Sequence, residues 1–186
     1  MPITPSAPFD ESDCIARAQR GDVAAFSELV ARHQDRIYRF LVRLTRSHDD
    51  ALELAQETFI HAWTALERWQ AQARFSTWLF QIARNQAIDL LRRTQRVDFV
   101  EFDASVADSL ADSAPTPEEA LHSTQRLRAL ERALQRLPTE HREILLLREI
   151  EDLSYDEMAA VLNISLGTVK SRIARARTAL LERMPR

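Results

Sequence analysis

Only two glycines, Gly21 and Gly167, occur among the 186 residues of the chain. Glycine supplies the positive φ angles and close backbone approaches on which tight β-hairpins and phosphate-binding loops depend. The chain is rich instead in alanine, leucine, arginine, glutamate and glutamine, which are good helix formers. The sequence therefore predicts an all-α fold, and it argues against a turn-rich β fold and against glycine-rich phosphate loops.

Apolar residues recur at helical spacing along four N-terminal segments, which predicts an independent four-helix bundle over residues 11–96. Residues 1–10 contain three prolines and are expected to form a disordered lead-in. Ser12 is the predicted N-cap of the first helix, and Gly21 follows its end. The helices of the bundle are expected at residues 12–20, 23–45, 49–69 and 76–95.

The net charge of −3 conceals a strong segregation of charge along the chain. Residues 74–96 carry five arginines and one acid, whereas residues 98–119 carry seven acids and no lysine or arginine. The acidic stretch closes with Pro115 and Pro117. This composition predicts a flexible acidic linker over residues 97–117, extended by repulsion between its own charges.

Residues 118–186 are expected to form a second four-helix domain. Ser154, followed three residues later by Glu157, has the capping-box pattern that begins a helix. Ser165 repeats the capping role for the last helix. The two earlier helices of this domain are predicted over residues 118–137 and 139–150.

The last helix is apolar on one side and basic on the other. Residues 165–186 contain six cations and one acid, a local charge of +5. A short helix, a break and a helix with a cationic outer face are typical of a helix-turn-helix, whose second helix enters the DNA major groove. The predicted inward stripe consists of Val169, Ile173, Ala176 and Leu180. The residues predicted to contact duplex DNA are Thr168, Lys170, Ser171, Arg172, Arg175 and Arg177.

A second mixture of cations, aromatic residues and amides lies on the fourth helix. Cations follow a nucleic-acid backbone while aromatic side chains receive unstacked bases, so this mixture indicates a site for single-stranded nucleic acid. As an alternative, Phe75 and Trp78 are ordinary core residues of a helix bundle. The predicted contacts are Arg74, Phe75, Trp78, Gln81, Arg84, Asn85, Arg92 and Arg93.

No arrangement of residues typical of an enzyme stands out. The five histidines are scattered, and Cys14 is the only cysteine, so it makes neither an intramolecular disulfide nor a zinc site alone. We therefore expect no catalytic residues, metal, cofactor or small-molecule substrate. No apolar run approaches the ~20 residues that span a bilayer, and the N-terminus lacks a signal-peptide pattern, which makes the cytoplasm the expected location.

Several segments, in one order, resemble bacterial RNA polymerase sigma factors. Residues 50–63 (DALELAQETFIHAW) resemble the region that grips the polymerase core, and residues 75–93 (FSTWLFQIARNQAIDLLRR) resemble the helix that handles the −10 promoter element. Residues 137–148 and 153–177 resemble the domain that reads the −35 element. The short two-domain layout is similar to the extracytoplasmic-function (ECF) subfamily of the sigma-70 family.

The resemblance implies a promoter-specificity subunit without catalytic activity, which binds core RNA polymerase, recognises both promoter elements and helps to open DNA. It implies that Asp50, Glu53, Gln56 and Glu57 face the clamp helices of the largest polymerase subunit, although alone they are typical of a solvated helix face. The fourth-helix set is implied to meet the −10 strand, with Asn85 near a flipped base, and the last-helix set to meet the −35 duplex. A further implied partner is an anti-sigma factor, often bound to the inner membrane.

The alternative interpretation is a transcriptional regulator that binds operators independently of core polymerase through its C-terminal helix-turn-helix. It explains the basic last helix equally well. It does not explain a cationic and aromatic fourth helix beside an acidic third helix. Binding to core polymerase in the absence of DNA distinguishes the two functions.

Overall fold

The computed structural model describes residues 9–94 and 117–184, with side chains from residue 126 onward in the second range. Both ranges are helical, and neither contains a strand, which confirms the all-α prediction. Within them the N-terminal helices are α1 (Glu11–Gln19), α2 (Val23–Thr45), α3 (His48–Leu66) and α4 (Phe75–Thr94). The C-terminal elements are α5 (Pro117–Gln135), α6 (Thr139–Leu145), a π-helical segment (Leu146–Ile150), α7 (Tyr155–Leu162) and α8 (Leu166–Leu181).

Helix α2 spans the residues that the sequence predicts, and side-chain chemistry fixes both of its ends. The Asp22 carboxylate accepts a hydrogen bond from the Ala25 amide at 3.1 Å and so caps the first turn. Arg46 ends the helix in the left-handed conformation, with φ of 66°. Just before α2, Gly21 has φ of 89°, a value that glycine adopts without strain.

Two predicted helix ends are wrong by a few residues. The N-cap of α1 is Asp10 rather than Ser12, because the Asp10 carboxylate accepts from the amides of Ser12 and Asp13. Helix α3 ends at Leu66 rather than at Trp69. The Leu66 carbonyl accepts from the Trp69 amide at 3.1 Å, a three-residue turn that closes the helix. The Gln19 side-chain amide also donates to the carbonyls of Leu66 and Trp69, at 3.2 and 2.8 Å.

Residues 95–116, between the two described ranges, contain the end of the predicted N-terminal bundle and most of the predicted linker. Residues 97–116 of that linker, and residues 1–8 of the predicted lead-in, lie outside the described residues. The last residue of the predicted linker, Pro117, is instead the first residue of α5. Proline is favoured in the first turn of a helix, where its missing N–H needs no partner.

The second helix of the C-terminal domain is not α-helical throughout. The sequence predicts a single helix over residues 139–150, but the last five residues, Leu146–Ile150, form a π-helical segment. The Glu151 amide there donates to the Leu146 carbonyl at 3.1 Å, a spacing of five residues. The wider turn is followed by Asp152 in the left-handed conformation, with φ of 52°. Helix periodicity alone does not distinguish this segment from an ordinary α-helical turn.

The two domains have apolar cores that meet across an interface. The N-terminal core includes Leu29, Phe40 and Leu79, all within 1% of complete burial. The C-terminal core includes Ile144 and Met158, both fully buried. Helix α7 packs against α4, while α6 and the π-helical segment pack against α2. The structure therefore brings the C-terminal domain directly onto the two central helices of the N-terminal bundle.

Candidate nucleic-acid interface

Helix α8 has the two-faced arrangement that its sequence predicts. Val169, Ile173 and Ala176 are buried, at 2% exposure or less, while Leu180 is half-buried. The Ser165 hydroxyl accepts from the Thr168 amide at 3.2 Å and caps the N-terminus. Burial of the apolar stripe fixes the rotation of the helix and so decides which side chains face solvent.

On the outer face of α8, some residues are exposed without an ion pair and others form ion pairs with glutamates. Lys170, Ser171 and Arg175 are exposed. Arg172 is only 19% exposed, and its guanidinium lies 3.7 Å from Glu140 and 3.6 Å from Glu143. Arg177 is exposed but bonds Glu149 at 2.7 Å. Three of these five residues thus present their polar groups to solvent without an ion pair among the described residues.

Thr168 has a local role at the start of α8. Its hydroxyl lies 2.8 Å from the Ser165 hydroxyl, and the residue is half-buried. The two hydroxyls share the N-terminus of α8, where free amides and the helix dipole favour a negative group such as a DNA phosphate.

The aromatic residues at the start of α4 belong mainly to the core. Phe75 is 2% exposed and packs edge-on against Trp69, with ring centroids 5.8 Å apart. Trp78 is half-buried, 5.5 Å from Trp69 and 5.7 Å from Phe75. The apolar stripe of α4 includes Phe75, so its ring packs inside the bundle and anchors the helix.

The polar face of α4 lies against the C-terminal domain. Arg74 donates to both carboxylate oxygens of Glu157, at 2.5 and 2.6 Å. The same carboxylate accepts from the Thr77 hydroxyl at 2.7 Å. These bonds, above all the one from Arg74, lower the pKa of Glu157 to about 2, and Glu157 correspondingly raises the pKa of Arg74. Both groups are therefore charged across the physiological range.

Further along α4 the contacts with the C-terminal domain continue. Arg84 donates to the buried carboxylate of Glu143 at 2.9 and 3.2 Å. The Gln81 amide donates to the Ala160 carbonyl at 3.4 Å. Beyond these contacts, Asn85, Arg92 and Arg93 are exposed at the C-terminal half of the helix.

The acidic face of α3 is open to solvent. Glu53, Gln56 and Glu57 are exposed, and Asp50 is half-buried. A cleft of about 320 Å³ lies between this face and α4. Its lining comprises Asp50, Glu53, Leu54, Glu57, His61, Gln86, Asp89, Leu90 and Arg93. Two of the residues predicted for polymerase contact, Glu53 and Glu57, thus share a concave surface with Arg93 of the predicted −10 set.

Two groups of residues at these surfaces were not predicted from the sequence. Leu52 and Ile60 are 55% and 61% exposed on α3, beside the acidic face. Both are apolar residues outside the inward stripe of this helix, and that departure is visible in the sequence. Glu143 and Glu151 are buried partners of arginines from the N-terminal domain. Each glutamate pairs with an arginine more than fifty positions away in the chain, so no local sequence pattern predicts the pair.

Other kinds of site receive no support from the described part of the chain. No group of three or more histidine, cysteine or acidic residues there is arranged to hold a metal ion. None of its helices combines the length and apolar character needed to cross a membrane. Cys14 is buried, and its thiol lies 3.6 Å from the Glu28 carboxylate. Burial, reinforced by Glu28, raises the pKa of Cys14 and keeps it protonated.

Comparison with known proteins gives matches on both domains. The family model for sigma-70 region 2 matches residues 29–97, and the model for sigma-70 region 4 matches residues 127–180. The first match covers most of α2, α3 and α4, and the second covers the C-terminal helices from within α5 through most of α8.

Similar proteins match over nearly the whole chain. The ECF RNA polymerase sigma factor SigW of Bacillus subtilis strain 168 is 32% identical over 91% of this chain and 94% of its own length. The RNA polymerase sigma-H factor of Pseudomonas aeruginosa is 36% identical over 91% of both chains. Among solved structures, the sigma factor RpoE of Bartonella quintana, in complex with the anti-sigma factor NepR, has a TM-score of 0.70 at 29% identity, covering 85% of this chain and 95% of that one.

Proposed function

The chain belongs to the ECF subfamily of the sigma-70 family, and we propose that its two helical domains divide the recognition of duplex and single-stranded promoter DNA between them. It is a promoter-specificity subunit of bacterial RNA polymerase. The observation that carries this function is the match of region 2 to the N-terminal bundle and of region 4 to the C-terminal domain, in one chain and in that order. An independent operator-binding regulator accounts for the second match but not for the first.

The exposed face of α8 is assigned to the −35 duplex. Arginine and lysine pair with the guanine O6 and N7 atoms in the major groove, and serine contacts several bases. Lys170, Ser171 and Arg175 are exposed on one side of a helix whose other side is buried. Thr168, Arg172 and Arg177 extend this face, with Thr168 at the helix N-terminus.

The polar face of α4 is assigned to the −10 strand. Arg74, Arg84, Arg92 and Arg93 supply positive charge, while Trp78, Gln81 and Asn85 supply a ring and amides for unstacked bases. Phe75 is assigned a supporting role, because its ring is buried under the helix. DNA stacking costs about 1.4 kcal/mol per base-pair step to break, and capture of unstacked bases offsets this cost without fuel or metal. We therefore assign the protein no catalytic activity, cofactor or substrate.

The exposed acidic face of α3 is assigned to the polymerase core. Asp50, Glu53, Gln56 and Glu57 offer carboxylates and an amide to a cationic surface such as the clamp helices of the largest subunit. The domain boundaries proposed are residues 11–96 for the region that binds core and the −10 element, and residues 118–186 for the region that reads the −35 element. Residues 97–117 connect them.

An anti-sigma factor is a further proposed partner. Support comes from the similar Bartonella quintana sigma factor, which was solved in complex with the anti-sigma factor NepR. Since polymerase and chromosome share the cytoplasm, we place the protein there, with retention at the inner membrane face only through such a partner.

The test of this function is the order in which the protein binds polymerase and DNA. Tagged protein should retain purified bacterial core polymerase in the absence of DNA, and the assembled complex should bind promoter DNA more tightly than the free protein does. A protein that binds duplex operators alone and does not retain core polymerase would contradict the assignment. Heat-denatured protein provides the baseline for nonspecific retention.

A further inference from the structure

Gln19, the last residue of α1, bonds the segment that connects α3 to α4. Its side-chain amide donates to the Leu66 carbonyl at 3.2 Å and to the Trp69 carbonyl at 2.8 Å. These partners lie 47 and 50 positions further along the chain. The first helix of the bundle therefore holds the backbone at the point where it leaves α3 and turns toward α4.

The helix that carries Gln19 is itself held firmly in place. Cys14 and Ala18 are each 4% exposed and pack into the core of the bundle. The Arg17 guanidinium donates twice to one carboxylate oxygen of Asp22, at 2.9 and 2.7 Å, across the turn that follows α1. Gln19 thus extends from a helix whose position is set by the core and by this turn, independently of the segment that it bonds.

The connecting segment, residues 67–74, is exposed except at one residue. The exception is Trp69, which is half-buried. Its ring packs edge-on against Phe75, with centroids 5.8 Å apart, and lies 5.5 Å from the ring of Trp78. An exposed segment with few buried contacts opens locally at a low cost in free energy, so the bonds from Gln19 contribute directly to its order.

Trp69 in turn supports Trp78, which is assigned to unstacked bases of the −10 strand. The Trp78 ring lies between those of Trp69 and Phe75 in one aromatic cluster. Phe75 is 2% exposed, so the core sets its position, whereas Trp69 depends on the backbone that Gln19 holds. A side chain that recognises a ligand needs packing neighbours that fix its own geometry. Displacement of Trp69 therefore moves the surface against which Trp78 rests.

We propose that Gln19 is a positioning residue for recognition of the −10 strand, and that it acts through the position of the Trp69 ring rather than by contact with DNA. The inference rests on the proposed role of α4 at this strand and adds a residue of α1 to it. The net contribution of one such hydrogen bond corresponds to about a three- to tenfold change in an equilibrium constant. Loss of both bonds should reduce the preference for the −10 element by at least about threefold and leave the preference for the −35 element unchanged.

Transcription by the reconstituted holoenzyme measures both preferences. Sequencing of transcript 5′ ends first supplies one promoter that the unmodified protein uses with core polymerase. Two template libraries are made from this promoter, one randomised at the −10 element and the other at the −35 element. Enrichment of the original element among the transcripts of each library gives the two preferences separately.

Substitutions at Gln19 separate the hydrogen bonds from the size of the side chain. Gln19→Met keeps the length of the side chain and removes both donors. Gln19→Glu places a carboxylate against two carbonyl oxygens, so repulsion should lower the −10 preference further than in Gln19→Met. Gln34→Met and Gln34→Glu make the same changes at an exposed position of α2 and should leave both preferences unchanged. Circular dichroism measures the folding of each variant.

A double-mutant cycle tests whether Gln19 acts through Trp69. Trp69→Leu removes the ring that the bonded backbone positions, so it should also lower the −10 preference. If the two residues act together, the variant that combines Gln19→Met with Trp69→Leu should lose little more than Trp69→Leu alone. Losses that multiply would show that Gln19 and Trp69 act independently.

Tryptophan fluorescence reports the position of the Trp69 ring. Trp63→Phe leaves Trp69 and Trp78 as the two tryptophans of the chain. In that background, acrylamide should quench the fluorescence more strongly after Gln19→Met, because the loosened connection exposes the Trp69 ring. Equal quenching would contradict the link between Gln19 and Trp69.

The transcription assay also gives results that overturn the inference. An unchanged −10 preference in Gln19→Met would exclude the role, and equal losses at the −10 and −35 elements would show a general structural effect. An unchanged −10 preference in Trp69→Leu would overturn the inference even if Gln19→Met failed to fold. The absence of any start site that depends on the unmodified protein is a separate result, because it contradicts the proposed function itself.

Discussion

At the scale of single residues, Arg142 carries its charge in an almost completely buried position. It is 1% exposed, and its Nη2 donates to the Thr139 hydroxyl at 3.3 Å. Its Nε and Nη1 have no hydrogen-bond partner in the structure as described. Burial, with a smaller contribution from the charge of Arg46, lowers the pKa of Arg142 to about 10. Burial of this incompletely bonded charge therefore lowers the stability of the C-terminal domain.

Replacement of Arg142 by methionine should therefore not destabilise the free protein. A buried charge exchanged for an apolar side chain of similar volume is often neutral or stabilising, by about 1–4 kcal/mol. We expect Arg142→Met to have an unfolding temperature equal to or above that of the unmodified protein in scanning calorimetry. A loss of more than about 2 kcal/mol of stability would show that the guanidinium has partners that the structure does not reveal.

His33 should make stability depend on pH. Burial lowers the pKa of His33, and this effect exceeds the opposite one of the Glu11 carboxylate at 2.8 Å. The unfolded chain therefore binds the proton more readily, so the stabilising effect of neutral His33 is complete above about pH 6.5 and is lost as pH falls below that value. Urea denaturation at pH 7.5 and 5.5 measures the free energy of unfolding. Between these pH values it should fall further for the unmodified protein than for His33→Gln. Equal losses would contradict this role.

Arg175 tests the assignment of α8. Its guanidinium is exposed, and replacement by alanine should weaken recognition of the −35 element by about 1–3 kcal/mol, as for a base contact. Transcription from promoters that differ only in the −35 element measures the effect. Thr178→Ala, one turn further along α8, serves as the control. Unchanged preference among these promoters would remove Arg175 from the set that reads DNA.

At the scale of helices, local patterns predict most of the architecture. The apolar spacing of α2 predicts both of its ends, and the capping box of Ser154 and Glu157 is present in the structure. The Leu66 carbonyl at the end of α3 accepts a bond from Gln19, which is 47 residues away. The π-helical segment and the burial of Phe75 likewise depend on packing between elements, which periodicity does not report.

The acidic face of α3 gives a prediction for polymerase binding. Glu57→Arg replaces an exposed carboxylate with a cation, so we expect weaker binding of core polymerase without loss of the fold. Competition against a labelled unmodified protein for a limiting amount of core measures the change. The same substitution at Glu67, exposed just beyond the end of α3, is the control. Equal competition by both variants would contradict the assignment of this face to polymerase.

At the scale of the whole molecule, the sequence predicts two helical domains but not their packing against each other. The ion pairs Arg36–Glu151, Arg74–Glu157 and Arg84–Glu143 join residues that lie 59 to 115 positions apart. Each residue alone is typical of an exposed helix face, so no pattern marks it as a partner of the other domain. Two of these arginines, Arg74 and Arg84, are among those that indicate nucleic-acid binding, and the sequence alone does not predict that they also bond the other domain.

Reconstituted transcription measures whether this protein directs polymerase to promoters. Purified core polymerase, a genomic DNA library and this protein are combined, and the 5′ ends of the transcripts are sequenced. The account predicts start sites that depend on the added protein and share two sequence elements at fixed spacing upstream. Transcription that neither requires the protein nor selects a common pair of elements would contradict it.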